Sequence, residues 1–472
     1  MAAWRVGYNA SAVMGIFGIV LSLALLMYLA YRGVTVLVLA PVLALLAALL
    51  GGDTRLLATY TQIFMTGLGG FLVRYFPLFL LGAIFGRLMA DSGSAAAIAE
   101  WIVAKLGHGQ AVMAIVLACA VLTYGGVSVF VVAFAVYPVA VALCRRSSTP
   151  KRLIPGAILL GSATFTMSAI PGSPAIQNAI PMPFFGTDAF AAPVLGTLAG
   201  LVMFAIGAAW FSYRVRAAKD EGYGRHPLDA ADEIAATNRP SFVVAVLPIV
   251  IVIVVNYLIT RLVIPVLDLS YLAERKYGSV SVEDVRGIWS LIAAMTVAIV
   301  GTIALNWHRW VDLNSSVNQG TLSSLLPIFN TASEVGYGSV IASLAAFAAI
   351  QSAVVGLFPE NPLISEAIAV NVMAGVTGSA SGGLSIALNM LGAKYLELGN
   401  AAGISPQLLH RVSAIASGGF DSLPHNGVVI TLIGICRLTH RESYLDIFAV
   451  TVVGPLVALA VALVLGTLFG AF

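Results

Sequence analysis

Residues 111–144 run for 34 positions without one charged side chain. As a single helix they would be about 50 Å long, against a bilayer hydrocarbon core of about 30 Å. The segment therefore has to bend. Its centre, Thr123-Tyr124-Gly125-Gly126-Val127-Ser128, supplies the glycines that let a backbone turn back at membrane depth. The expected structure is two half-length arms joined at a re-entrant tip. Such a segment belongs in lipid, and the rest of the chain agrees: 60% hydrophobic and 10% charged residues, with a mean hydropathy of +0.97, against roughly 25% charged residues in soluble domains.

Apolar blocks recur at about 13–31, 34–50, 68–90, 111–144, 153–187 and 191–213, and again at about 240–264, 287–305, 323–352, 367–393, 412–436 and 446–470. Between the two sets lies a polar stretch with Arg214, Arg216, Lys219, Asp220, Glu221, Arg225 and His226. The domain organisation read from this is a repeat over 1–213, a cytoplasmic linker over 214–239 and a second repeat over 240–472. The first span, followed by further apolar blocks rather than a polar mature domain, reads as permanent and not as a cleaved signal.

The fourth blocks correspond in detail. Gly125-Gly126-Val127-Ser128 in the 111–144 hairpin is matched by Gly382-Gly383-Leu384-Ser385 in the 367–393 hairpin. The fifth blocks, 153–187 and 412–436, are each broken by proline and small polar residues: Ile170-Pro171-Gly172-Ser173-Pro174-Ala175-Ile176-Gln177-Asn178 and Ser422-Leu423-Pro424-His425-Asn426-Gly427. From tip glycine to proline the distance is 46 residues in one half and 42 in the other. These are internal repeats of the kind secondary transporters use. A hairpin that enters and leaves on one side leaves five crossings per half, an odd number, so the halves should be inverted. The expected fold class is thus an all-α polytopic membrane protein of two inverted-topology repeats, each with five spanning helices, one of them broken, and one re-entrant hairpin. Placing Arg145, Arg146, Lys151, Arg152 and the linker in the cytoplasm puts the majority of the 24 Lys and Arg on that side. By the positive-inside rule both termini then face outward.

Irregular backbone at membrane depth is tolerated only where protein buries it or where it lines a cavity. Two tips and two breaks meeting near the midplane would enclose one site. Its expected lining is Tyr124, Gly125, Gly126, Ser128, Ser173, Gln177 and Asn178 from the first half, with Ser379, Ser381, Gly382, Ser385, His425 and Asn426 from the second. Hydroxyl, amide and free backbone donors suit a carboxylate, and half-helix N-termini favour negative charge. Any one of these small residues could instead serve close helix packing; the repeated tip-and-break pattern favours a site. Intramembrane ionisable residues are functional candidates by default. Asp421 and His425, four residues apart, would share a face of an intact helix and could carry the coupling proton; Asp421 could equally cap a half-helix or pair with a cation. Glu334 is a third candidate, with capping or pairing as its alternative. Arg74 and Arg87 sit near the ends of the 68–90 block and should snorkel to the interface. His108, His226, His308, His410 and His440 fall in or near expected loops.

Other classes find little support. Cys119, Cys144 and Cys436 are too far apart for a zinc or iron–sulfur site, so no metal or cofactor is expected beyond a coupling ion. A net charge of +3 reflects cytoplasmic loops rather than nucleic-acid binding. An intramembrane enzyme would need a serine with a partnered base, and Ser173 and Ser379 have only His425 to draw on. An anion channel can use Gly-rich re-entrant loops, yet needs no paired broken helices around a closed site.

With these segments in hand, the chain resembles the gluconate permease (GntP) family. The likeness runs through Leu80-Leu81-Gly82-Ala83-Ile84-Phe85-Gly86, Thr123-Tyr124-Gly125-Gly126-Val127-Ser128, Lys151-Arg152-Leu153-Ile154-Pro155-Gly156-Ala157 and Ile176-Gln177-Asn178-Ala179-Ile180-Pro181-Met182-Pro183. It looks closest to the branch of D-3-hydroxybutyrate permeases. Gluconate-type members carry an acidic residue where this chain has Gly125 and a His-Pro pair where it has Gly172-Ser173-Pro174. The resemblance implies proton-coupled import of a short-chain hydroxy-monocarboxylate across a bacterial inner membrane, a homodimer held by scaffold helices, and elevator-like movement of the hairpin-bearing part. Hairpin tips in the wider group bind Na⁺, so a Na⁺-coupled carrier of gluconate or another organic acid is the alternative.

Overall fold

A computed structural model of the chain describes residues 10–107, 110–218, 221–224, 239–358 and 360–472. Among them there is no strand. The linker residues Lys219, Asp220, Arg225 and His226, and His108, lie outside the described residues.

Helices α1 (Ala10–Tyr31) and α2 (Val36–Leu50) fold back on each other through a turn in which Gly33 has φ +87°. Helix α3 then runs over Leu56–Asp91, starting earlier than the apolar block at 68. A π-helical stretch at Thr59–Phe64 carries the helix through polar residues that hydropathy counts as loop. Helix α4 (Ser94–Leu106) follows a turn at Gly93; its Glu100 and Lys105 kept it out of the apolar blocks.

Helices α5 (Ala111–Tyr124) and α6 (Val129–Arg146) pack on each other around Gly125–Ser128. At 14 and 18 residues they are about 21 and 27 Å long, more than the half-length arms expected. Helix α7 (Ile154–Ser162) opens the broken segment, which continues as single turns at Phe165–Ser168, Ile176–Ala179 and Met182–Phe185. Helix α8 (Pro193–Ala217) closes the first half.

The second half begins with α9 (Phe242–Val266) and α10 (Val282–Leu305). The expected 323–352 block is two helices, α11 (Leu313–Ser343) and α12 (Phe347–Val355), set at 97° to each other. Helices α13 (Pro362–Thr377) and α14 (Ala380–Ala401) extend the 367–393 block at both ends, because Glu366, Lys394 and Glu397 are helical and not loop residues. Helix α15 (Pro406–Ser417) and helix α16 (Gly427–Ile435) flank the second break, and α17 (His440–Phe469) ends the chain. Seven helices among the described residues are long and apolar enough to cross a membrane, and the α11–α12 pair makes an eighth.

The long helices α3 and α11 pack along each other. Gly67 faces Ser339, Gly336 faces the Phe64 carbonyl and Gly320 faces the Ile84 backbone, so side chains are missing where the two axes approach. Contacts recur in corresponding places: α1 on α2 as α9 on α10, and α2 on α11 as α10 on α3. The hairpins and breaks exchange partners between halves, with α6 against α16 and the turns at Ile176–Ala179 and Met182–Phe185 against α14.

An ion cluster ties the ends of three helices. Asp446 of α17 is fully buried and accepts from Arg214 Nε at 2.6 Å, Trp210 Nε1 at 3.0 Å and Arg152 Nη1 at 3.2 Å. Arg152 also pairs with Glu221 at 2.9 Å, and that hydrogen bond holds the Glu221 carboxyl below the usual carboxylate range.

Candidate substrate site

The second tip is built by a tight chain reversal. Helix α13 ends at Gly378 in the left-handed region (φ +62°), and Ser379 is already the extended N-cap of α14, accepting from Gly382 N at 3.1 Å. The arms meet closely because a Cβ on Gly383 would run into the Ala374 backbone. The second break is laced onto this tip. Asn426 caps α16, accepting from Val428 N at 2.6 Å and Val429 N at 3.0 Å, while its Nδ2 donates to Gly378 O at 2.8 Å and Asp421 Oδ1 at 2.9 Å. Asp421 Oδ1 also accepts from Ala380 N at 2.8 Å. It thus caps α14, in the neighbouring hairpin.

Glu334 reaches the same tip from α11. Its Oε2 is buried without a hydrogen-bond partner and fills the space a Cβ on Gly382 would take. Thr331 Oγ1 and Ser381 Oγ lie 3.3 Å apart, and Ser379 Oγ is 3.4 Å from Ser381 Oγ. His425 lies against Gly378 with Nε2 buried and unpartnered. The stretch from Gly418 to Asn426 is not helical, so Asp421 and His425 do not share a helical face; each meets the tip from its own turn. Seven expected residues therefore converge: Glu334, Ser379, Ser381, Gly382, Asp421, His425 and Asn426.

The first tip is closed in a different way. Gly126 has φ +95° and faces Pro174 and Met295, and Gly125 is pressed on Ile249 of α9. Tyr124 donates to Pro171 O at 2.8 Å. Ser128 caps α6 at an exposed position away from this contact. In the first break Ser173 Oγ accepts from Ala175 N at 3.2 Å, and Gln177, nearly buried, has no side-chain hydrogen bond among the described residues. Asn178 uses its whole amide: Nδ2 donates to Ser173 O at 2.9 Å and Ala189 O at 3.0 Å, and Oδ1 accepts from Arg411 Nη1 at 3.1 Å, with His410 Nε2 at 3.2 Å. Ser385 lies one turn along α14 from the second tip and lines a separate cavity of about 400 Å³.

His410 and Arg411 are the residues that sequence reasoning missed. His410, expected in or near a loop, and Arg411, which directly precedes the 412–436 block, are both fully buried in α15. Arg411 donates to Ala191 O at 2.7 and 3.0 Å as well as to Asn178, and His410 Nδ1 meets Thr187 Oγ1 at 2.6 Å. The pair pins the second break to the first. One local signal was present: Ser405-Pro406 is an N-cap followed by proline at the first helical position, which starts the helix before His410.

Apolar spans around helix breaks and glycine tips, with buried polar groups converging on them, are the architecture of a multi-pass membrane transporter. The profile of the GntP family permeases matches residues 11–300. The chain is 42% identical over 459 residues to a Bacillus subtilis protein named uncharacterized transporter YxjC, covering 94% of this chain and 97% of that one. It is 26% identical over 392 residues to an uncharacterized transporter of Haemophilus influenzae, covering 82% and 83%. The chain belongs to the GntP family of permeases, transporters of small organic acids.

Proposed function

We propose that this permease is a symporter that imports a short-chain hydroxy-monocarboxylate such as D-3-hydroxybutyrate with protons across the bacterial inner membrane. The observation that carries the reading is the second tip, where two acidic side chains from different elements, Glu334 of α11 and Asp421 of the break, meet one helix start. Glu334 Oε2 has no partner, leaving a lone-pair position for a proton. Movement of the hairpin against α11 would open that position to one face and then the other, an elevator-type cycle. The recurring helix contacts and the tip-and-break pattern support two inverted repeats, the distribution of basic residues supports both termini outside, and the family likeness supports a homodimer. A first tip without acidic or basic side chains favours a small anion of single charge.

Uptake of labelled 3-hydroxybutyrate, gluconate and lactate into proteoliposomes, each under a proton or a sodium gradient, tests this. Uphill accumulation of 3-hydroxybutyrate under the proton gradient supports it and excludes a channel; accumulation of none of the three acids overturns the substrate assignment. A Na⁺-coupled carrier is the second reading. It is favoured by the oxygen cluster of Thr331, Ser379, Ser381 and Glu334, since Na⁺ needs several oxygen ligands, and accumulation driven by sodium alone would establish it.

A further inference from the structure

Glu366 lies one residue before the expected 367–393 block, and in the structure it is wholly inside the protein. It is 0% exposed, and neither of its carboxyl oxygens has a hydrogen-bond partner among the described residues. Buried aspartates are treated differently: Asp446 accepts from Arg214, Arg152 and Trp210, Asp421 from Ala380 N and Asn426, and Asp188 from Phe190 N. Acids within membrane-spanning segments are functional candidates by default, and the oxygens of this one hold nothing in the fold.

The helices packed on α13 bring it no counter-charge. From α14 comes the Tyr395 hydroxyl, itself fully buried and unpartnered, near enough to feel the charge of Glu366 and not bonded to it. Lys394 and Glu397 of the same helix pair with each other at 2.8 Å. On α15, His410 and Arg411 are taken up by Thr187, Asn178 and Ala191. Helices α1 and α12, and the Gly454–Phe469 part of α17, carry no Asp, Glu, Lys, Arg or His. Glu360, ahead of α13, is exposed. A carboxylate at 366 would thus have neither a donor nor a cation, one of which a buried charge requires; a carboxyl that carries a proton has no charge to compensate. Water is nevertheless near. Glu366 stands four residues past Pro362, the start of α13, about 6 Å along the arm, and Lys394 and Glu397, within a turn of Tyr395, are exposed.

We propose that Glu366 is a proton-binding site at the base of the second hairpin, loaded while α13 and α14 are closed on each other and discharged when the two arms part there. On discharge the carboxyl O–H bond breaks, the proton passes to water, and the carboxylate left behind is hydrated. Closure of the hairpin and uptake of the proton then favour each other by linkage. The proposal deepens the proton-symport reading above, setting a second proton site at the base of the hairpin whose tip meets Glu334.

The test is hydrogen–deuterium exchange of the full-length protein in nanodiscs, without substrate, from mildly acidic to mildly alkaline pH. Mass spectrometry follows the base of the arms, within α13 and the C-terminal half of α14, after correction for the intrinsic pH dependence of exchange. Where the closed hairpin holds the proton and the open one has lost it, protection should fall about tenfold per pH unit. Glu366→Gln opens without releasing a proton, so at the base that slope should be lost; Glu334, Asp421 and His425 act at the tip. If Glu366→Gln does not fold, Glu366→Met, apolar and of similar length, takes its place with the same expectation. Wild-type protection that does not change with pH, or a slope kept in the variant, overturns the proposal. Liposomes that show no proton-driven uptake would refute the symport reading alone, since exchange is measured without substrate or gradient; a slope lost with Glu366 would still establish the site.

Discussion

Glu334 and Gly382 fit together only because residue 382 has no side chain: the carboxylate of one occupies the position of the other's missing Cβ. The second tip therefore closes on α11 through a glycine, and an added methyl has nowhere to go but into a buried acid. Gly382→Ala should lose most transport and cost about 1–3 kcal/mol of stability, the usual range for overpacking. Glu334→Asp, one methylene shorter, should recover part of the lost melting temperature in the double variant. A Gly382→Ala protein with wild-type uptake would show that the tip does not need this contact.

Proton coupling at the same place separates accumulation from exchange. In Glu334→Gln the side chain keeps its size but cannot give up a proton at the tip, so accumulation driven by a proton gradient should disappear while exchange of internal for external substrate continues. Counterflow and gradient-driven uptake in the same liposomes read the two quantities. Gradient-driven accumulation at the wild-type level would remove Glu334 from the coupling step.

The junction of the two breaks is a matter of stability. Replacing Asn178 by alanine leaves Arg411 short of an acceptor and frees the carbonyl of Ser173 in a buried place, while Ala189 O keeps its bond from Gly172 N at 2.8 Å. A loss of about 3 kcal/mol or more is expected, read as a lower melting temperature in detergent. Arg411→Met should do comparable damage, and the double variant should be less harmful than the sum, because each residue is the other's partner. Strict additivity would mean the two act separately.

The Asp446 cluster makes a contrasting prediction. Asp446→Asn leaves Arg214 and Arg152 without their buried counter-charge, and breaking such a pair costs about 3–5 kcal/mol. The half-saturation concentration of whatever protein remains folded should stay where it was, since the partners of Asp446 are Arg152, Trp210 and Arg214 and not the tip residues. A shifted half-saturation would connect the cluster to the site.

Much of this was written in the chain. The helix ends at both glycine centres and the proline breaks follow from residues close in sequence, the link between tip and break in the second half joins motifs 41 and 48 residues apart, and hydropathy finds apolar helices because the bilayer demands them. Hydropathy fails where a helix is sheltered by protein instead of lipid. Arg411 reads as an outside loop residue because what satisfies it, the carbonyls of Ala189 and Ala191, lies some 220 residues earlier and belongs to backbone, which has no sequence signature. Arg74 reads as a helix-end residue because Thr59, Thr61 and Gln62 lower the local hydropathy without ending the helix. The 97° turn between α11 and α12 falls at Leu344-Ala345-Ala346, where no glycine or proline marks it.

Helix α15 also bears on how the protein enters its membrane. Twelve residues carrying Gln407, His410 and Arg411 are too short and too polar to partition into lipid unaided, when a central arginine alone costs about 2.5–3.5 kcal/mol at insertion. Everything that receives Arg411, from Asn178 to Ala191, is synthesised well before it. The first break thus acts as a berth already in place when α15 leaves the ribosome, and the order of the two halves along the chain becomes the order in which the membrane can accept them.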